Sequence, residues 1–200
     1  MKILVFTDVH GNIGLIKRLI VLSKKVDLMI CCGDISNFGY KLDYILSVFN
    51  KTGKKLLIIP GNHESSKNIE MASKKYNNII NVHKKIYFIE DYLFLGYGGG
   101  GFSKEDKGFE EFIYKTKKVI KDNPKIILIT HAPVYNTKTD YLPLWDGNDK
   151  HRGNNSIRRF VEKFNVKFAF CGHFHENLGK KDKIKESYII NPGFGKIIVI

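Results

Sequence analysis

The stretch KILVFTDVH, residues 2–10, has the pattern of a β-strand that runs into two potential metal ligands, Asp8 and His10. Four later apolar runs also lead directly to Asp, Asn or His side chains. In α/β sheets the carboxyl ends of the strands are where ligands and catalytic groups collect. The sequence therefore predicts that seven side chains gather along one sheet edge: Asp8, His10, Asp34, Asn62, His131, His173 and His175.

Strand and helix patterns alternate along the chain, which predicts an α/β fold. Asn12 and Ser66 are the predicted caps of two helices, and a second amphipathic helix covers 42–49. A lysine-rich helix is predicted over 105–121, with Phe109, Phe112, Ile113, Val119 and Ile120 on its buried side. Pro124 is expected to end that helix, and another helix covers 156–164.

The predicted strands are short and bounded by turn residues. They cover 3–6, 28–32, 56–59, 79–82, 86–89, 93–97, 126–129 and 167–171. At the C-terminus, 183–190 and 196–200 are predicted as two strands of a hairpin-like return around Asn191-Pro192-Gly193. The four glycines at 98–101 lack the flanking pattern of a phosphate-binding loop and predict a backbone turn. The long loop 134–155 follows His131 and is expected to wall the site.

The composition is that of an ordinary globular protein, with 43% hydrophobic and 26% charged residues in a chain of 200. This length predicts one domain over residues 1–200. No apolar run approaches the roughly 20 residues that span a bilayer, and Met1-Lys2 leads straight into a strand. We therefore expect a cytoplasmic protein without a membrane partner. The three cysteines lie in apolar strand segments and are expected to be core residues.

The net charge of +13 favours an anionic partner. The basic residues are nearly all lysines, however, often in pairs such as Lys24-Lys25 and Lys117-Lys118. Nucleic-acid grooves usually combine basic residues with aromatic ones. A lysine-rich solvated surface is therefore the favoured interpretation, and nucleic acid is retained as a less favoured partner.

The seven ligand candidates divide into two sets around one remaining carboxylate. Asp8, His10 and His175 form one set, and Asn62, His131 and His173 form the other. If Asp34 bridges the sets, two divalent ions each have four protein ligands. Mixed nitrogen and oxygen ligands favour Mn²⁺, Fe, Zn²⁺, Ni²⁺ or Co²⁺ over Mg²⁺ and Ca²⁺. Such a centre stays cationic, so its expected substrate is a phosphate ester, attacked by a metal-bridging hydroxide.

Taken in this order, the motifs Asp8-x-His10, Gly33-Asp34, Gly61-Asn62-His63-Glu64, His131 and Gly172-His173-x-His175 resemble the calcineurin-like metallophosphoesterase superfamily. The resemblance spans Asp8 to His175. It implies a four-layer α-β-β-α sandwich, in which two mixed sheets pack face to face with helices outside. It also assigns Asp34 as the bridge between the two predicted metal ions, for which the donor set favours Mn²⁺. It implies that His63 is a catalytic residue and not a ligand, which points at the substrate and either protonates the leaving oxygen or stabilises charge in the transition state.

The chain departs from the pattern of the superfamily's protein Ser/Thr phosphatases. Those proteins carry Asp-Arg-Gly where this chain has Asn37-Phe38-Gly39, and an arginine where it has Pro60. Without these arginines a phosphomonoester dianion is held less well. The departure also removes the aspartate that would orient His63, which leaves Asn37 or Glu64 as candidate partners.

The remaining pattern is more similar to the small prokaryotic phosphodiesterases of the superfamily. Asn37 and the turn at His151-Arg152 are therefore candidate substrate-binding residues, although a plain surface turn explains the latter equally well. The expected function is hydrolysis of a small phosphodiester or nucleotide. The alternatives are a nuclease, a phosphomonoesterase, and a non-catalytic scaffold, the last opposed by the full set of ligand residues. The sequence leaves the oligomeric state open.

Overall fold

The protein forms two β-sheets and five α-helices in a computed structural model that describes residues 1–121 and 125–200. The strands are β1 Lys2–Phe6, β2 Leu28–Cys31, β3 Lys55–Ile58, β4 Ile79–Asn81, β5 Lys85–Ile89, β6 Tyr92–Tyr97, β7 Ile126–Thr130, β8 Val166–Phe170, β9 Lys181–Ile184, β10 Ser187–Ile190 and β11 Lys196–Val199. The helices are α1 Ile13–Ser23, α2 Leu42–Asn50, α3 Ser66–Ser73, α4 Lys107–Lys121 and α5 Asn155–Lys163. Pro124 lies outside the described residues.

Both sheets are mixed. The first has the order β11-β1-β2-β3-β4, and the second has the order β5-β6-β7-β8-β10-β9. Strands β1 to β4 run parallel, as do β6, β7, β8 and β10. The antiparallel strands β11, β5 and β9 lie at the edges. The carboxyl ends of the central parallel strands therefore open toward one edge of each sheet.

Alternate side chains of β1 belong to different hydrophobic cores. Leu4 and Phe6 pack against α1 and α2, whereas Ile3 and Val5 join a core between the two sheets with Phe94 and Ile127 of the second sheet. A third core lies between the second sheet and helices α4 and α5. Because the central strands are buried on both faces, they are nearly continuous apolar runs. The predicted four-layer α-β-β-α sandwich is confirmed.

The C-terminal prediction was wrong. The stretch 183–190 is not one strand, because the chain reverses at Lys185, whose φ is 52°, and β9 pairs antiparallel with β10. Strand β11 does not return along β10. It crosses to the other sheet and pairs with β1. The turn at Asn191-Pro192-Gly193 makes this crossing, and the Gly193 carbonyl accepts a hydrogen bond from Thr7 N at 3.0 Å. Apolar alternation alone does not distinguish a strand's partners.

Helix ends differ from prediction by small amounts. Asn12 caps α1 as predicted, whereas the cap of α3 is Ser65 and not Ser66, since its side chain accepts from Asn68 N. On α4, Phe109 and Ile120 are buried, but Val119 is exposed. None of the described helices is long and apolar enough to span a membrane. The cysteines are free and buried, and burial raises the pKa of each thiol.

Candidate metal centre

All seven predicted ligands come together at the carboxyl ends of five strands. Asp8 and His10 follow β1, Asp34 follows β2 and Asn62 follows β3. The second sheet contributes residues that follow β7 and β8, namely His131, His173 and His175. The site therefore lies where the edges of the two sheets face each other, as the sequence predicts.

One set of ligand atoms surrounds His175. Its Nε2 lies 3.2 Å from His10 Nε2 and 3.5 Å from Asp8 Oδ1. Potential ligand atoms of these three residues lie within 4.8 Å of one another, close enough to bind one ion. The Asp8 carboxylate is buried and also accepts from the backbone N–H of His173, at 3.1 Å and 3.3 Å. This bond ties the loops after β1 and β8 together.

The second set surrounds the amide oxygen of Asn62. This atom lies 2.8 Å from His131 Nε2 and 2.9 Å from His173 Nδ1. His131 Nδ1 lies 2.9 Å from the Cys32 carbonyl, which can only accept, so the proton of a neutral His131 ring is on Nδ1. His131 Nε2 then carries a lone pair and faces the Asn62 oxygen, which is also an acceptor, so two acceptors meet with no proton between them. A cation between these atoms resolves that conflict, so the residues present fit a metal ion.

Asp34 lies between the two sets. Its Oδ2 is 3.8 Å from His10 Nε2 and 3.5 Å from His131 Nε2, while its Oδ1 accepts from His63 N at 2.9 Å. The carboxylate is nearly fully buried. A buried carboxylate requires compensating charge or hydrogen bonds. Its position between the two sets is the one that the sequence predicts for the bridging carboxylate.

The electrostatics of the histidines suit metal binding. Burial, reinforced by the neighbouring His131, lowers the pKa of His173 to about 4. Burial also lowers the pKa of His10, against the opposing effect of Asp34. Both rings are therefore neutral at pH 7, and the neutral imidazole is the form that coordinates metals.

The backbone is strained at the ligands. Asp8, His10, Asp34 and His173 all adopt left-handed φ values, between 48° and 74°. Non-glycine residues rarely adopt this conformation, and each instance costs about 1–3 kcal/mol. Such outliers cluster at functional sites because other interactions must hold them in place. Four of the seven ligand candidates are held in this way.

Two glycines allow the loops to approach the ligands. A Cβ at Gly61 would lie 1.9 Å from Asp34 Oδ1, and a Cβ at Gly101 would lie 2.6 Å from the His173 ring. Gly101 also has a φ of 99°. The glycine run 98–101 is therefore a turn whose backbone closes against the centre.

His63 lies beside the two sets, and potential ligand atoms of His63, His10 and Asp34 lie within 4.8 Å of one another. Its Nε2 is 3.9 Å from Asp34 Oδ2, and its Nδ1 is 3.0 Å from Asn37 Oδ1. Phe38 packs over the ring, with 4.3 Å between ring centroids, and His10 meets it edge-on. The ring is thus fixed on one side and faces the centre with Nε2.

Glu64 does not orient His63. Its buried carboxylate accepts four hydrogen bonds, from Asp34 N, Ser36 N, Ser36 Oγ and Gly61 N, at 2.7–3.1 Å. These bonds join the loops after β2 and β3. Burial raises the pKa of Glu64, and the bonds from Ser36 and Gly61 oppose this effect. Of the two candidate partners for His63, the structure places Asn37 in contact.

A cavity of about 430 Å³ opens onto the centre. Besides predicted site residues, its lining contains four side chains that the sequence interpretation missed: Phe102, Leu142, Phe174 and Glu176. Phe174 and Glu176 adjoin predicted ligands in the sequence, and Phe102 follows the glycine run. Their proximity to these motifs was the sequence feature that could have identified them as lining residues. Leu142 lies in the loop 134–155, which therefore contributes to the wall.

The substrate-binding candidates at 151 and 152 lie outside this lining. His151 Nδ1 is 2.7 Å from the buried Asp140 carboxylate, and its ring lines a neighbouring cavity that shares Glu176 with the first. The Arg152 guanidinium packs over the Trp145 ring at 4.3 Å. Their contact with substrate stays a prediction.

Comparisons with known proteins agree with this architecture. The model of the family described as calcineurin-like phosphoesterase matches residues 1–177. The uncharacterized protein MJ1162 of Methanocaldococcus jannaschii is 35% identical over an alignment 200 residues long that covers 96% of this chain and 88% of that protein.

Solved structures share the fold at low identity. TT1561 of Thermus thermophilus superposes with a TM-score of 0.74 at 15% identity, covering 96% of this chain and 88% of that one. A dimetal phosphatase from Danio rerio superposes with a TM-score of 0.67 at 10% identity, covering 95% of this chain and 86% of that one. At these identities the likeness establishes the fold.

Proposed function

We propose that this chain, which belongs to the calcineurin-like phosphoesterase family, is a dinuclear-metal phosphodiesterase. The observation that carries the proposal is the convergence of two sets of candidate ligands on either side of the Asp34 carboxylate. Family membership makes it a hydrolase of phosphoesters. The number of metals, their identity and the preference for diesters are the proposed refinements.

The donor set favours two divalent transition-metal ions, with Mn²⁺ the first choice and Fe, Zn²⁺, Ni²⁺ or Co²⁺ as alternatives. Asp8, His10 and His175 would hold one ion and Asn62, His131 and His173 the other, with Asp34 shared. When bound, such ions lower the pKa of water and neutralise phosphate charge.

His63 is the proposed proton donor. Asn37 Oδ1 accepts from Nδ1, which directs Nε2 toward the centre. In the imidazolium form, which carries a proton on each ring nitrogen, the Nε2 proton can pass to the leaving oxygen of the ester as its bond to phosphorus breaks, which leaves a neutral ring with its proton on Nδ1. Phe38 packs against the ring, with 4.3 Å between the ring centroids.

No arginine is among the described residues that line the cavity at the centre, which favours a diester monoanion over a monoester dianion. Three of the four arginines are engaged elsewhere. Arg152 packs on Trp145, Arg158 donates to the carbonyls of Tyr135 and Asn136, and Arg159 pairs with Glu105 and Glu110. The fourth, Arg18, belongs to α1 on the outer layer.

The lining of the cavity points the same way. It includes Glu176, and no lysine or arginine is among the described residues that line it. A second negative charge on the substrate would therefore meet a carboxylate and no guanidinium clamp. A diester carries only one.

Steady-state assays on purified protein test this function. Bis-p-nitrophenyl phosphate and p-nitrophenyl phosphate are compared with each divalent metal in turn. We expect kcat/KM to be higher for the diester under the best metal. A clear preference for the monoester would assign the protein to phosphomonoesterases, and no turnover with any metal would favour the scaffold alternative.

A nuclease is the second candidate, favoured by the net charge of +13. Proteins that track single strands usually line the groove with basic and aromatic side chains. The cavity at the centre supplies Phe102 and Phe174, and its described lining has no lysine or arginine. Cleavage of oligonucleotides faster than of small diesters would support this alternative.

A further inference from the structure

A second cavity, of about 640 Å³, adjoins the metal centre on the side of α1 and α2. His10 and Asn37 line it and also belong to the centre, the first as a ligand candidate and the second as the partner of His63. Its outer walls include Ile13, Tyr40, Lys41 and Tyr44. A group attached to a phosphate at the centre can therefore extend into this cavity.

The walls expose aromatic surface that the fold does not bury. Tyr40 and Tyr44 are 67% and 63% exposed, and Ile13 is 63% exposed. Lys41 lines the cavity and provides a positive charge there, and its Nζ lies 5.1 Å from the centroid of the Tyr40 ring. Tyrosines with a nearby cation and an amide are suited to a planar group with polar edges, because the rings stack and the polar groups bind the edge.

The turn that carries Tyr40 is also the turn that holds His63. Tyr40 N donates to the Asn37 carbonyl at 2.9 Å, and the two residues form an isolated antiparallel bridge. The central residues, Phe38 and Gly39, both have positive φ, at 50° and 77°. A phenylalanine in this conformation is strained, and strain of this kind is retained where other interactions hold it. One turn thus forms a wall of the cavity and positions the proposed proton donor.

We propose that this cavity is a specificity subsite that binds a nucleobase of the ester substrate, stacked by Tyr40 and Tyr44. The inference rests on the proposed phosphodiesterase function, because the centre must hold the phosphate to which the base is linked. The volume is within the usual range of small-molecule sites, roughly 300–1,000 Å³. It accommodates a nucleoside, whereas a methyl or ethyl ester arm would leave the aromatic walls uncovered.

Three diesters with the same leaving group test the subsite. They are the p-nitrophenyl ester of thymidine 5′-monophosphate, methyl p-nitrophenyl phosphate and butyl p-nitrophenyl phosphate. All release p-nitrophenol, so differences report the other ester arm. We expect kcat/KM for the thymidine ester to exceed that for both alkyl esters by about 10-fold or more.

The variants Tyr40→Ala and Tyr44→Ala should lower the ratio of thymidine to methyl ester kcat/KM by about 10-fold, mainly through KM. Tyr114→Ala, at an exposed tyrosine of α4, is the matched control and should leave the ratio unchanged. Three results would overturn the subsite and leave the diesterase function intact. The first is an equal kcat/KM for the three esters, and the second is a kcat/KM for the butyl ester as high as that for the thymidine ester. The third is a ratio of thymidine to methyl ester kcat/KM that neither substitution lowers.

A binding measurement separates this inference from the function. Thymidine is added to metal-free protein, and the ring resonances of Tyr40 and Tyr44, assigned with the alanine variants, are followed by NMR. If no diester is hydrolysed, shifts confined to these rings and absent from Tyr114 support the subsite although the proposed function has failed. If there is neither hydrolysis nor any shift of these rings, both proposals are wrong.

Discussion

His63 Nδ1 lies 3.0 Å from the side-chain oxygen of Asn37, in the position where the phosphatases with Asp-Arg-Gly have an aspartate. An amide oxygen only accepts, so the ring donates from Nδ1, and Nε2 is left to face the centre. The orientation of His63 is therefore fixed by a neutral group. A neutral partner fixes the ring without adding negative charge beside the substrate.

Removing this partner should impair catalysis without affecting metal content. We expect Asn37→Ala to lower kcat by about 10- to 100-fold, by analogy with the loss of a hydrogen-bond partner that orients a metal-binding histidine. Asn37→Asp restores an acceptor and should recover most of kcat. Steady-state kinetics with metal analysis measures both variants. If Asn37→Ala retains the wild-type kcat, Asn37 does not position His63.

His63 itself should be catalytic but not a metal ligand. His63→Gln is expected to lower kcat by about 10²- to 10⁴-fold, the range for losing a general acid or base, with metal stoichiometry unchanged. The loss should be smaller for nitrophenyl than for alkyl leaving groups, since nitrophenolate needs less protonation. An equal loss for both kinds of leaving group would replace the acid role with an electrostatic one.

Glu64 should contribute stability and not proton transfer. Glu64→Gln replaces one accepting oxygen with a donor that faces backbone N–H groups, so we expect the free energy of unfolding to fall by about 1–3 kcal/mol. Urea denaturation measures this change. Glu111→Gln, on the exposed side of α4, is the control and should stay within about 0.5 kcal/mol of wild type. Equal free energies of unfolding for the two variants would contradict a stabilising role of the Glu64 hydrogen bonds.

The clustering of the seven ligand candidates could be predicted from the sequence because each one follows an apolar strand, and parallel strands end at a common edge. The partner of His63 could not, since Asn37 and Glu64 were both open candidates from the motifs alone. Which of the two contacts His63 depends on the backbone N–H groups of the two loops, because those groups donate to the Glu64 carboxylate and leave Asn37 as the partner. The strand crossing at β11 was missed for a similar reason. Pairing across sheets is a long-range property that local alternation does not encode.

His83 should make the fold sensitive to acid. Burial, with Lys84 and Lys85 nearby, lowers the pKa of His83 to about 4, and its Nδ1 accepts from Gly98 N at 2.9 Å. Between pH 6.5 and 4 the unfolded chain binds a proton that the folded chain does not. The stabilisation is therefore complete above pH 6.5 and is lost as the pH falls, by up to about 3 kcal/mol for a shift from 6.5 to about 4.

Urea denaturation between about pH 4 and 7.5, in the presence of a chelator so that metal loss does not contribute, checks this dependence. His83→Gln keeps an acceptor for Gly98 N but does not titrate in this range. The variant should lose less stability than the wild type as the pH falls. Parallel pH profiles for the two proteins would contradict the prediction.

The central claim is that two metal ions share Asp34, and anomalous diffraction from crystals soaked in Mn²⁺ tests it most directly. We predict two anomalous peaks per chain, about 3.5–4 Å apart, with the Asp34 carboxylate between them. Crystals of Asp34→Asn treated in the same way should lose occupancy at both positions. A single peak, no peak, or two peaks with the Asp34 carboxylate turned away from them would contradict the account.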